Sequence, residues 1–457
     1  MTESRLWLLR DARAAHRQGG EGLDRRRHER LVEMVAFARA RSPFYRRLYQ
    51  HLPEHVTDPV LLPVTGKAEL MRHFDDWVTD RAVTLSAARA FVEDPAMVGE
   101  KFLGRYTVGT TSGTTGTRGI FLWDERSLAV TTALLARLLG AWLTPADALR
   151  ILARGGRVAM VNATGGHYAS ASAGAALRKN RWGRNRIGVF GVHTPMAQLV
   201  AGLNGFRPAI LAPYATMGAL LATEQRAGRL HLDPVLVVLS AEALPEGEYD
   251  RIAATFNAKV RQGYAATECP FLTYSCQHGW LHVNSDWVLL EPVDAEHRPV
   301  PPGQASHTTL LSNLANKVQP ILCYNLGDAV FVRPDPCRCG DPLPAIRVRG
   351  RTADLLTFHT PAGEPVVLTS LTVTAWVDRV PGVELVQLVH TAPTHLEVRL
   401  QSSAGTDPER VWQAVHTEIR RLLADHGLDH VTVARGDRPP QLTPGGGGKF
   451  RAVIPLP

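Results

Sequence analysis

Apolar residues return at helical spacing through Leu31, Val35 and Ala38, among arginines, and predict a helix over 23–50 that ends or restarts at Ser42-Pro43. From about residue 125 the pattern alternates between two periods. The Ala- and Leu-rich stretch Leu128–Leu143 predicts a helix, and Val158-Ala-Met-Val161 a strand. Ile187-Gly-Val-Phe190 predicts another strand, followed by a helical stretch from Met196 to Leu203. Further short apolar runs are Ala209-Ile-Leu-Ala212 and Val235-Leu-Val-Val-Leu239, and Lys259–Tyr264 reads as one more strand end. Short buried strands separated by helical segments imply an α/β domain with a largely parallel sheet. Residues 281–335 switch to short β-like segments with turns, including Trp287-Val-Leu-Leu290 and Ala329-Val-Phe-Val332. The last hundred residues differ again. Strands are expected at Val383–Val389, His395–Leu400 and Val431–Val433, with an amphipathic helix over Glu409–Leu423. Pro439-Pro440 and Pro444-Gly-Gly-Gly-Gly448 make a loop that no regular element would carry. The pattern contains no internal repeat.

Composition narrows the class. The 457 residues are 45% hydrophobic and 21% charged, ordinary for a globular chain large enough to bury a core without staples. Five cysteines, an odd and sparse set, argue against a disulfide framework. The net charge of +8 suits anionic partners without choosing among them. The arginines from Arg25 to Arg47 lack interleaved aromatics, so a solvated helix is preferred to a nucleic-acid face. No run approaches a membrane span, and Met1–His16 lacks a secretory core. The expectation is a cytoplasmic protein with no membrane and no nucleic-acid partner.

The densest chemistry lies in Thr110-Thr-Ser-Gly-Thr-Thr-Gly116, continued by Thr117, Arg118 and Gly119. Glycines let backbone N–H groups approach an anion, hydroxyls add donors, and Arg118 adds charge. The run lacks the Gly-Lys-Ser/Thr ending of a P-loop. It resembles the phosphate loop of the adenylate-forming acyl- and aryl-acid ligases, Thr-Ser-Gly-Thr-Thr-Gly followed by a residue, Pro and Lys, with Thr117 and Arg118 at the last two places. More resemblances follow in order. Tyr264-Ala-Ala-Thr-Glu268 resembles Tyr-Gly-x-Thr-Glu, with Ala265 for Gly. Tyr324-Asn-Leu-Gly-Asp328 resembles Tyr-Arg-Thr-Gly-Asp, and Gly350-Arg351 with Asp354 resembles Gly-Arg-x-x-Asp. Gly448-Lys449 sits where that family carries its C-terminal lysine. Arg41-Ser-Pro-Phe-Tyr45 and Leu62-Pro-Val-Thr-Gly-Lys67 resemble the phenylacetate-CoA ligase branch.

The resemblance implies an α/β fold: a large N-terminal adenylating domain of mixed sheets and helices over 1–353, then a small mobile α+β lid over 354–457. It implies that Thr111, Ser112, Gly113, Thr114, Thr115 and Gly116 cradle ATP phosphates, with Tyr264 and Ala265 beside the adenine. Asp328 would accept the ribose hydroxyls and Arg351 would contact ribose or phosphate. Glu268, beside Thr267, would hold Mg²⁺, a hard ion suited to oxygen ligands. Lys449, with Arg118, would neutralise charge as carboxylate meets α-phosphate. Substrate-pocket candidates are His167, Tyr168, His193, Tyr214, Ser240 and Glu242; Ser240-Ala-Glu242 stands where many relatives have Gly-Gly-Glu.

Cys276 and His282, with Cys337 and Cys339, match the softness and count for tetrahedral Zn²⁺ within a subregion at 269–345. A closed structural zinc is the leading expectation; buried free thiols and a catalytic zinc stay open. Cys269 and Cys323 read as core cysteines. Few charges line the pocket segments, so an aromatic or otherwise apolar acid is favoured. The activity implied is ATP-dependent acyl-adenylate formation followed by transfer to CoA, as in secondary metabolism. Transfer to an amine or a separate carrier protein, a non-catalytic nucleotide sensor, and a homodimer remain open.

Overall fold

A computed structural model describes residues 3–111, 119–162, 167, 183, 185–192, 194–241, 244, 246–351, 356–363, 365–368, 380–441 and 450–456. A large mixed α/β N-terminal domain is followed by a smaller α+β C-terminal domain.

The strands of the first part are β1 (Thr107–Thr110), β2 (Ile120–Trp123), β3 (Val158–Asn162), β4 (Ile187–Gly191), β5 (Ile210–Pro213), β6 (Leu236–Leu239) and β7 (Lys259–Gln262). Strands β3 to β7 form a five-stranded sheet of order β4-β3-β5-β6-β7, every pairing parallel. The interior strand β6 buries Leu236, Val237 and Leu239 and reads as a continuous apolar run, whereas the edge strand β7, Lys259-Val-Arg-Gln262, is half-buried throughout. Helices Met196–Phe206, Ala215–Arg226 and Glu246–Phe256 make the crossovers.

A second group follows: β8 (Thr273–Ser275), β9 (Leu281–Val283), β10 (Val288–Val293), β11 (Thr308–Asn313), β12 (Ile321–Asn325), β13 (Asp328–Val332) and β14 (Ala345–Arg351). They form two antiparallel sheets, β10-β11-β12 and β13-β14-β9-β8. The C-terminal unit contains β15 (Leu356–His359) and β16 (Pro365–Leu368) as a hairpin. It also contains β17 (Val383–Ala392), β18 (His395–Ser402), β19 (Thr432–Arg435) and β20 (Val453–Ile454) in the order β19-β18-β17-β20. Asp407 caps the helix Pro408–Asp425, which turns Val411, Val415, Ile419 and Leu422 onto this sheet. The resulting core, from Leu356 to Val453, is separate from the main one.

The first helix departs from expectation. It starts at Arg5, capped by Ser4, and runs to Arg41 with a break at Gly19, whose φ of 70° leaves the helical region. Leu8, Ala12 and Ala15 are buried at helical spacing before the break, a short period that the sequence expectation did not include. Ser42 then ends it and caps the helix Pro43–Leu48. The long helix is fastened by charge. Arg137 makes two 2.8 Å bonds to the two carboxylate oxygens of buried Asp286. Arg30 lies 3.5 Å over Trp287 and donates to the Asp286 carbonyl while pairing with Asp11. Among the described residues no single helix is long and apolar enough to cross a membrane.

Candidate active site and metal cluster

Strands β1 and β2 form a hairpin in which Thr110 stands opposite Ile120. Their connection is the Thr/Gly run. The Thr111 N–H donates to the Gly119 carbonyl at 3.0 Å, and the Gly119 N–H returns to Thr111 Oγ1 at 2.8 Å, closing the base of the loop. Residues Ser112, Gly113, Thr114, Thr115, Gly116 and Arg118 lie outside the described residues. The Thr110 N–H donates to the His167 carbonyl at 2.7 Å, tying the hairpin to the segment after β3.

Two segments carrying the resemblance lock to each other. The Tyr264 hydroxyl donates to Asp328 Oδ2 at 2.5 Å, and the Tyr324 hydroxyl donates to Glu268 Oε1 at 2.7 Å. Each tyrosine thus orients the carboxylate of the other segment. Both carboxylates are buried, Glu268 at 8% exposure and Asp328 at 7%, so each depends on such partners. The main chain is held as well. Asn313 donates to the Glu268 carbonyl and the Thr309 hydroxyl to the Asp328 carbonyl. Gly327, at φ 72°, makes the turn between β12 and β13, and Asn325 accepts its N–H at 2.9 Å. Asn325, at the position where the resembled pattern has Arg, is therefore the turn's internal cap.

Other expected residues fall around the carboxyl ends of the parallel strands, where α/β sheets bind ligands. Tyr214 follows β5 and bridges Ser240 after β6. Tyr214 is buried and Ser240 half-buried; Thr267 is half-buried and Ala265 exposed. His167 is buried, its ring 5.2 Å from that of Phe91. Arg351 ends β14 in register with Asp328. Tyr168, His193, Glu242, Asp354 and Lys449 lie outside the described residues. Cys269 and Cys323 are buried in the core, and burial pushes both thiols well up.

The early segments serve as scaffold. Thr65 runs beside β12, bonding Cys323 and Asn325 through its backbone, and the Tyr45 hydroxyl donates to the Pro320 carbonyl at 3.0 Å. Both hold the strand that delivers Tyr324. Sequence reasoning assigned no role to Tyr324 itself, although it heads its own segment.

Cys276, His282, Cys337 and Cys339 converge, with all four ligand atoms within 4.8 Å of one another. Cys276 comes from the β8–β9 turn, His282 from β9 itself, and the last two from the β13–β14 connection. The Cys276 and Cys337 sulfurs are 3.8 Å apart. A tetrahedron with metal–sulfur arms of ~2.3 Å has an edge of about 3.8 Å. His282 Nδ1 lies 3.0 Å from the Leu343 carbonyl, a bond that puts the proton there and leaves Nε2, 3.2 Å from Cys339 Sγ, for a metal. Asp341, fixed by the Tyr274 hydroxyl at 2.6 Å, stands behind His282. Three thiols and one imidazole fit a soft tetrahedral ion.

Comparison with known proteins now bears on this geometry. No protein-family model matches the chain. A 2-hydroxyisobutyryl-CoA ligase, in its postadenylation state with a bound acyl-adenylate, matches at a TM-score of 0.67 and 20% identity, over 95% of this chain and 89% of that one. The chain has an acyl-CoA-ligase-like fold. An anthranilate-CoA ligase matches more distantly, at a TM-score of 0.52 and 14% identity, over 75% of this chain and 65% of that one. By sequence, a phenylacetate-coenzyme A ligase of Thermus thermophilus is 25% identical over 351 residues, covering 72% of this chain and 71% of the relative. In this ligase-like fold, the hairpin loop, Tyr264–Glu268 and Tyr324–Asp328 belong to the large domain.

Proposed function

We propose that the protein uses ATP and Mg²⁺ to convert an apolar, aromatic carboxylic acid to its acyl-adenylate and then transfers the acyl group to CoA, as a phenylacetate-CoA-ligase-like enzyme. The observation that carries this reading is the reciprocal pairing of Tyr264 with Asp328 and of Tyr324 with Glu268. It brings two buried carboxylates from segments about sixty positions apart into a fixed arrangement near the open end of the parallel sheet. Hard cations and ribose hydroxyls are the natural partners of such oxygens. Glu268 would ligate Mg²⁺, which supplies charge neutralisation at the phosphates, and Asp328 would accept from the ribose. Thr111 and residues 112–116 would cradle the phosphates, with Tyr264 and Ala265 beside the adenine. Arg118 and Lys449 would offset the charge that repels an attacking carboxylate, with Thr267 alongside, and Arg351 would reach ribose or phosphate. His167, Tyr168, His193, Tyr214, Ser240 and Glu242 remain the proposed acid pocket; the burial of His167 supports a wall rather than a ligand.

A domain boundary at 353–354 is part of this reading, supported by the separate core that begins at Leu356. Zinc on Cys276, His282, Cys337 and Cys339 would be structural, since four protein ligands leave no open position. The test is pyrophosphate release on a panel of acids, with CoA, a small amine and hydroxylamine offered separately. Aryl-CoA formation supports the reading. Consumption of adenylate by the amine and not by CoA overturns the acceptor assignment.

A further inference from the structure

Trp280, just before β9, is flanked by arginines from β14 and from the residue just past β13. The Arg333 guanidinium lies 4.9 Å and that of Arg347 4.6 Å from its ring centroid. The neighbouring Phe331 ring, 6.2 Å away, carries Arg349 at 5.2 Å. Arg338, between the two metal-ligating cysteines, is exposed. A cavity of about 220 Å³ is lined by His278, Trp280, Arg333, Cys337 and Arg338.

The two arginines that fasten the long helix are matched to carboxylates, Arg137 to Asp286 and Arg30 to Asp11. Arg333, half-buried against Trp280, hydrogen-bonds the main-chain carbonyl of Asp335, and neither it nor Arg338 pairs with a carboxylate among the described residues. Arg349 Nε is buried with no hydrogen-bond partner among the described residues. A guanidinium laid on an aromatic ring is held in place while its in-plane N–H groups stay directed outward, the geometry that binds phosphate bidentately. Metal charge does not account for the excess. Three thiolates and a divalent ion leave one net negative charge, against the two positive charges of Arg333 and Arg338.

We propose that Trp280, Arg333 and Arg338, backed by Arg347, form a binding site for a phosphate ester, and that it receives the phosphate-bearing end of the acyl acceptor. The second half rests on the reading given under Proposed function; the first does not. The cavity is smaller than the ~300–1,000 Å³ of a site that encloses a whole small molecule. It therefore suits one end of a longer ligand. Strand β14 carries Arg347 and, four positions on, Arg351, which is in register with Asp328. The four steps between them span ~13 Å at about 3.3 Å each, a distance that an extended acceptor arm bridges.

The test uses the full chain loaded with zinc, without ATP or acid. Calorimetric titration with adenosine 3′,5′-bisphosphate should show saturable binding. The double variant Arg333→Gln/Arg338→Gln should weaken it at least tenfold, with zinc content and unfolding midpoint unchanged. The same variant should raise KM for CoA at least tenfold and leave ATP–pyrophosphate exchange at wild-type rate. Absence of saturable binding, or equal affinity in the variant, overturns the site. Equal affinity for inorganic phosphate together with an unchanged KM for CoA supports a free-phosphate site and overturns its assignment to the acceptor. Absence of exchange with every acid would count against the proposed function alone, because the titration involves no adenylation.

Discussion

Replacing Cys339 by Ser should cost the protein both its metal and a defined part of its stability. The cluster staples the β8–β9 turn to the β13–β14 connection, and Cys276 and Cys337 are 61 positions apart. Treated as a cross-link, a loop of that size removes ~14 cal/mol/K of entropy from the unfolded chain, or about 4 kcal/mol at 25 °C. Serine keeps the size of the side chain but exchanges a soft thiolate for a hydroxyl, so three ligands remain and the affinity falls. Removal should also free His282, whose orientation otherwise depends only on the Leu343 carbonyl and Asp341. The assay is metal analysis of protein made under zinc-replete, reducing conditions, paired with urea unfolding of wild type and variant. We expect about one zinc per chain in the wild type, a clear loss in Cys339→Ser, and a fall of about 4 kcal/mol in the transition of the large domain. A wild type without zinc, or a variant that loses its metal and unfolds at an unchanged midpoint, would refute the reasoning.

Three further outcomes follow from particular side chains. Asp286→Asn leaves the buried Arg137 without its counter-charge, Arg30 keeping Asp11, and should destabilise by ~3–5 kcal/mol in urea melts, whereas Asp286→Leu with Arg137→Met should cost less than the sum of its single changes. Ala241 holds φ at 71°, a conformation that costs a residue with a Cβ ~1–2 kcal/mol, so Ala241→Gly should raise stability by up to about 1 kcal/mol in the same assay. Burial, with help from Asp58, raises the Glu291 carboxyl from 4.5 to about 7. The folded state therefore holds this proton more tightly than the unfolded one. Stability falls as pH rises through that window, and the loss is complete above it. Glu291→Gln should gain up to about 3 kcal/mol at pH 8, less whatever solvent screens, and nothing near pH 4; an equal gain at both values would contradict the assignment.

The parallel sheet was legible because strands covered on both faces must be apolar throughout, and Val158–Val161 and Val235–Leu239 have no other reading. The C-terminal helix was legible for a different reason: it buries one stripe, and Val411, Val415 and Ile419 repeat at its period. The convergence of Cys276, His282, Cys337 and Cys339 was foreseeable from residue type and spacing together, since three cysteines and a histidine in such a set suit one soft ion. Hidden features were those made by contact across the chain. The Tyr264–Asp328 and Tyr324–Glu268 bonds join residues 64 and 56 positions apart, so local pattern shows the parts but not their exchange of partners. The first half of the N-terminal helix is held by partners beyond its own stretch: Asp11 pairs with Arg26 and Arg30 past the Gly19 break, and Arg137 donates to the Ala12 carbonyl. The arginines around Trp280 come from β14 and from the residue just past β13, and form a cluster only once the sheet has formed.

The central claim is that the chain forms an acyl-adenylate. Acid-dependent ATP–pyrophosphate exchange measures that half-reaction without any acceptor. With an aryl acid and Mg²⁺, the wild type should exchange. Lys449→Ala should lose at least ~100-fold, equivalent to about 2.7 kcal/mol of transition-state stabilisation, and Glu268→Gln should require more Mg²⁺. Exchange at wild-type rate in Lys449→Ala, or no exchange in the wild type with any acid, would contradict it.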